Sequence, residues 1–134
     1  MTTHLAAIAY LVRDYDEAIN WFTAKLGFAV LEDTALSDTK RWVRVAANTG
    51  SISLLLAKAE GDEQNSHVGK AAGSRVAYFL HTDDFATTHA KMQSSGVAFT
   101  ESPRHEAYGT VAVFTDLYGN KWDLVGPKTQ PTTS

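Results

Sequence analysis

The chain has 134 residues, 44% of them apolar and 20% charged, the balance of a folded chain and too short for two full-sized domains. Twelve Lys and Arg against fifteen Asp and Glu leave a net charge of −3, so no positive field draws in phosphate backbones and nucleic acid is excluded as a first partner. The absence of cysteine excludes disulfides, thiolate zinc sites and cysteine nucleophiles, and the longest apolar run, Leu5 to Val12, has eight residues where a membrane helix needs about 20. No basic segment opens the chain at Met1–Thr3, so no membrane partner and a cytoplasmic location are expected.

The first predicted strand, around Ile8-Ala9-Tyr10-Leu11, leads to a helix with matching start and stop signals. Asp14 stands where it can cap the free amides, and Glu17 follows three residues later in the capping-box position. Ala18, Trp21, Phe22 and Leu26 form an apolar stripe at helical spacing, and Gly27 closes the end. Three strands are predicted next, Phe28–Thr34, Arg41–Ala47 and Ser51–Ala57, the last two joined by the turn Asn48-Thr49-Gly50.

After the polar stretch Glu60–Gly73, read as a linker, the pattern returns. Val76-Ala77-Tyr78-Phe79 repeats the first strand at an offset of 68, and Asp83, Ser95-Gly96-Val97-Ala98-Phe99 and Glu101 repeat later positions at an offset of 69. Asp83 is the expected cap of a second helix that Gly96 ends, with Phe85, His89 and Met92 on its inner face. Strands are predicted at Ala98–Ser102, Thr110–Thr115 and Lys121–Val125, the last two joined by Tyr118-Gly119-Asn120. The unit is therefore β-α-β-β-β, used twice. The expected fold is α+β, with two mixed sheets curved around a central cavity and the helices outside. One domain is expected over 1–127, with module one at 4–59, linker 60–73, module two at 74–127 and a flexible tail at 128–134.

Two blocks, Val12-Arg13-Asp14-Tyr15-Asp16-Glu17-Ala18-Ile19 leading to Trp21-Phe22 and Leu26-Gly27-Phe28, and Asp116-Leu117-Tyr118-Gly119-Asn120-Lys121-Trp122-Asp123-Leu124, carry a family resemblance. The chain resembles the vicinal oxygen chelate superfamily, which includes glyoxalase I, extradiol dioxygenases, fosfomycin-resistance enzymes and bleomycin-resistance proteins. The resemblance covers about Leu5 to Pro127, with Leu117 and Tyr118 departing from the family's usual Pro and Asp. It implies four metal-ligand positions, which fall here on Ala7, on Leu54 or Leu55, on Ala77 and on Asp123. Three of the four are apolar, so no metal and no cofactor is expected. His81-Thr82-Asp83 has the look of a two-histidine, one-carboxylate iron site, but it needs His89 or His105 as a third ligand, and a helix cap already accounts for Asp83. His4 precedes Ala7 by three residues, which places it on the opposite strand face, and it is read as exposed.

Strand alternation assigns the remaining candidates. Ala7, Ala9, Leu11, Phe79 and His81 are expected to line the cavity, with Ile8, Tyr10, Val76, Tyr78 and Leu80 packed under the helices. Trp42 and Arg44, alternating with Val43 and Val45, offer an aromatic face and a guanidinium to a planar or anionic ligand. Arg104, His105, Glu106 and Tyr108 are read as a lid loop, His105 and Tyr108 bringing hydrogen-bonding tips. Trp42, Arg44, Phe79, His81, His105, Tyr108 and Asp123 are thus the candidate ligand contacts. The first expectation is metal-independent binding of a small aromatic or anionic organic molecule, and the resemblance implies a homodimer. Two further readings stay open: a lyase or dioxygenase whose metal site is rebuilt from Asp123, His81 and either His4 or His105, and a dimerising module with a filled interior. Whether any reaction is catalysed is not fixed by the sequence.

Overall fold

A computed structural model describes residues 1–128, so nearly all of the tail expected at 128–134 lies outside the described residues. The first unit runs from β1 (Ala7–Val12) through α1 (Tyr15–Leu26), β2 (Ala29–Ala35), β3 (Arg41–Ala46) and β4 (Ser53–Lys58) to α2 (Gly61–His67). The second comprises β5 (Val76–His81), α3 (Phe85–Ser94), β6 (Ala98–Phe99), β7 (Arg104–Glu106), β8 (Gly109–Thr115) and β9 (Lys121–Gly126). The two compact units meet in the chain between Ala71 and Ala72. Each holds one mixed sheet with the same order, β1-β4-β3-β2 and β5-β9-β8-β6, and β7 adds to β8. In both, the first and last strands pair in parallel and the remaining pairs are antiparallel.

In the first unit Asp14 accepts the Glu17 amide at 2.8 Å, and Gly27 ends α1 in the left-handed region at φ 70°. The helix buries Tyr15, Ala18 and Phe22, and it lies against β2, β3 and β4. Tyr10, Val12, Val43, Val45, Leu54 and Leu56 meet it from the sheet and are all buried. Ile8, expected under the helix, shares their parity but stays 42% exposed near the strand's start. Within the expected linker lies α2, a helix that the polar composition concealed: it buries none of its residues, and Gln64 Oε1 accepts the Glu60 amide at 2.9 Å.

In the second unit the helix cap is Asp84, not Asp83. Its carboxylate accepts the Thr87 amide at 3.1 Å and the Thr87 hydroxyl at 2.8 Å, contacts that hold its pKa below the usual value. Asp83, one residue earlier, has Ala86 at the corresponding position, with no hydroxyl to add. The face toward α3 carries an aromatic row: Tyr78 on Trp122 at 4.6 Å, Trp122 on Phe114 at 5.6 Å, Phe114 on Phe99 at 5.5 Å. The row continues onto the helix through His89, 4.4 Å from Phe99 and 5.3 Å from Phe85.

The segment read as a lid loop is instead strand β7 and a tight turn at Ala107–Tyr108. Its charged side chains gave no apolar alternation to read, and its ladder to β8 supplies the order. Gly109 sits at φ 150°, and a Cβ there would lie 2.1 Å from the Gly126 carbonyl oxygen, so glycine is required for β8 to approach β9.

Candidate functional site

The face of the first sheet turned away from α1 carries Ala9, Leu55 and Ser53 around one fixed cluster. The β2–β3 hairpin register sets Glu32 opposite Arg44 and Thr34 opposite Trp42, and a β-bulge follows between Val30 and Glu32. One carboxylate oxygen of Glu32 accepts both the Trp42 indole N–H at 3.3 Å and Arg44 Nε at 2.5 Å. The Arg44 bond, then that of Trp42, lowers the Glu32 pKa. Arg44 also donates to Ser53 Oγ at 3.1 Å, and the buried Ser53 hydroxyl donates to the Ala6 carbonyl at 3.0 Å. Glu32 thus holds an indole and a guanidinium side by side, while Val43 and Val45 on the other face are fully buried. Trp42 keeps 40% of its surface exposed, and Ala9 and Leu55 continue the Glu32–Arg44 row across β4 to β1.

Two cavities flank this cluster. One of about 310 Å³ lies beside Trp42, with Tyr15, Leu36, Lys40, Leu55 and Lys58 in its wall. A wider one of about 640 Å³ lies beside Arg44 and includes His4, Leu5, Leu31, Ser51 and Ile52. The smaller is at the lower end of the range for small-molecule sites.

On the second sheet the register places Phe79 opposite Asp123, His81 opposite Val125, and Arg104 opposite Val111, all on the face away from α3. Phe79 is 56% exposed and His81 is exposed, whereas Asp123 is buried and its Oδ1 has no hydrogen-bond partner. Burial pushes the Asp123 carboxyl above its ordinary value; Arg104 pulls it down and Glu101 pushes it up by smaller amounts. Arg104 is itself engaged by Glu106 at 2.8 Å and by Glu101. His105 falls on the opposite face, where its Nδ1 lies 3.2 Å from the Thr110 hydroxyl, and Tyr108 is exposed at the turn. His89 is enclosed by aromatic rings, its Nε2 buried without a partner.

A raised carboxyl pKa has a signed consequence for stability. The unfolded carboxyl ionises near 3.8, the folded one only at higher pH, so stability falls as pH rises through the folded value. Asp123→Asn is expected to stabilise the chain by about 1 kcal/mol at neutral pH. The gain should vanish near pH 4, and urea midpoints across that range check it.

The donor set does not fit the metal ion implied by the resemblance. Ala7 and Ala77 have no donor atom, the β4 position is leucine, and Asp123 alone offers oxygen. Among the described residues no three His, Cys, Asp or Glu side chains gather closely enough to hold a metal. Sequence reasoning missed Glu32 as part of the cluster. The signal was present, because closing Arg41–Ala47 against Phe28–Thr34 as a hairpin sets Glu32 across from Arg44.

Comparison with known proteins agrees with the fold. A protein of Shewanella frigidimarina (strain NCIMB 400) is 47% identical over 127 residues, covering 93% of this chain and 94% of its own length. The crystal structure of UcmS2 superposes with a TM-score of 0.79 at 29% identity, covering 93% of this chain and 98% of that one. TnmS3, an antibiotic binding protein from Streptomyces sp. CB03234, gives a TM-score of 0.76 at 28% identity, with 95% and 98% covered. With residues 4–124 matching the family and both halves folded alike, the chain belongs to the Glyoxalase/Bleomycin resistance protein/Dioxygenase superfamily.

Proposed function

We propose that this chain binds a small aromatic or anionic organic molecule without a metal ion, using the first-sheet face that carries Trp42 and Arg44, and that it does so as a cytoplasmic homodimer. The observation that carries the reading is the Glu32 cluster, which fixes an exposed indole beside a guanidinium next to two cavities. Fixing both groups before binding lowers the ordering cost of capture. The likeness to TnmS3, an antibiotic binding protein, supports the same class of function. The proposal takes 1–127 as one functional domain, and within the second unit it keeps exposed Phe79, His81 and Tyr108 as candidate contacts. Exposed Leu5, Ile8 and Ile52 on the first unit supply apolar surface that pairing of two copies would cover. No helix among the described residues is long and apolar enough to cross a membrane.

The test uses 8-anilinonaphthalene-1-sulfonate as probe, titrated against folded protein by fluorescence and calorimetry. One saturable site per chain is expected. Trp42→Ala should weaken it about tenfold, the loss of one stacked ring, and Arg44→Ala by a similar factor. Unchanged affinity in both variants, with both still folded, would remove this face from the site.

A further inference from the structure

The cavity beside Trp42 has a chemistry that the Glu32 cluster alone does not give it. Its lining includes apolar Leu36, Leu55, Leu56 and Ala57 together with the aromatic Trp42. The lining also includes Lys40 from the β2–β3 hairpin and Lys58 from the end of β4, both exposed. Neither ammonium has a carboxylate within ion-pair distance among the described residues. Arg41, the third cation in the wall, is already neutralised: it pairs with Asp16 at 2.9 Å and Asp33 at 2.7 Å, and its guanidinium lies over the Tyr15 ring at 5.2 Å. The Tyr15 hydroxyl accepts the Arg41 amide at 3.2 Å, which leaves its own proton to donate. Glu60 is the one carboxylate in the lining, against two lysines that have no ion-pair partner among the described residues.

We propose that this cavity, between the β2–β3 hairpin and α2, takes a flat aromatic carboxylate, its ring against Trp42 and Leu55 and its charged end met by Lys40 and Lys58. The inference rests on the binding function proposed above and names the ligand class for it. Size favours one or two fused rings, which about 310 Å³ accommodates. Charge sets a limit, because a cationic or neutral guest leaves both ammonium groups unpaired as the mouth is desolvated, whereas a carboxylate pairs with them. The apolar lining supplies burial for the ring, and the lysines supply the discrimination.

Calorimetric titration with 2-naphthoate and its neutral isostere 2-naphthamide tests this. The carboxylate is expected to bind at least tenfold more tightly than the amide, an advantage that shrinks with added salt. The double variant Lys40→Gln/Lys58→Gln, at two exposed positions that the core does not use, should bring naphthoate down to the naphthamide affinity and leave naphthamide within about twofold. Equal affinity of the two ligands in the unaltered protein, or an advantage that survives the double variant, overturns the lysine assignment while leaving the binding function standing. Failure of both ligands and of the anilinonaphthalene probe to bind would sink the two together.

Discussion

Asp116→Ala should destabilise the second unit by about 3 to 5 kcal/mol, a large share of a small domain's stability. Asp116 is buried at the β8–β9 turn, and its carboxylate is the hub on which that turn closes. One oxygen accepts the amides of Tyr118 and Asn120, each at 3.0 Å. The other accepts the Asn120 side-chain amide at 3.1 Å and the Trp122 indole N–H at 2.9 Å. Removing it takes the carboxylate from donors on three residues, two of them buried, and Trp122 also lies in the aromatic row between Tyr78 and Phe114. Asp116→Asn preserves shape but turns an NH2 group toward donors, so about 2 kcal/mol is expected. Urea unfolding followed by tryptophan fluorescence measures both. A second readout is the Tyr78 hydroxyl, pushed up to about 12 first by burial and then by the Asp116 charge. In a folded Asp116→Asn protein its ionisation should move back toward 10.0. An unchanged urea midpoint in Asp116→Ala would mean that the turn is held by its backbone bonds alone.

Phe22→Ala is the corresponding expectation for the first unit, at about 3 to 5 kcal/mol. Phe22 is fully buried on α1, meeting Tyr10 edge-on at 5.2 Å, Trp21 at 5.3 Å, and Phe28 in a stacked arrangement at 5.4 Å. These contacts fasten the helix to β1 and to the start of β2. Truncation leaves a cavity that backbone pairing prevents the sheet from closing. Phe22→Leu, which keeps most of the volume, should cost about 1.5 kcal/mol. A thermal midpoint for Phe22→Ala as high as for Phe22→Leu would show that α1 is held elsewhere. Because Trp42 and Arg44 sit on the far face of the same sheet, Phe22→Leu should leave ligand affinity unchanged, separating packing from binding.

These expectations rest on features the sequence displays unevenly. The duplicated strand-helix-strand pattern was legible because the apolar strands and the Asp14 and Gly27 signals agree at every level, and the sheet order repeats accordingly. Three features were not. Asp83 and Asp84 are adjacent acids with equal claims to the cap, and the Thr87 hydroxyl three residues on decides between them. Helix α2 has no apolar stripe, since none of its residues is buried. Strand β7 is three charged or polar residues ordered by β8, a tertiary effect that local pattern cannot carry. That last omission mattered for the site, because only the β7–β8 register shows His105 turned away from His81 and Asp123. Alternation did identify Trp42 and Arg44 against the buried valines, while Glu32, which ties them together, required the cross-strand register.

The most direct measurement of the central claim is calorimetric titration of chelator-treated protein with 2-naphthoate, run in excess chelator and again after adding Ni²⁺, Zn²⁺, Mn²⁺ or Fe²⁺, on the natural chain and on Asp123→Ala. One site per chain is expected, with the same affinity under every condition and in both proteins. Binding that appears only with metal, together with metal uptake lost in Asp123→Ala, would contradict it and restore a metal-dependent enzyme as the leading reading.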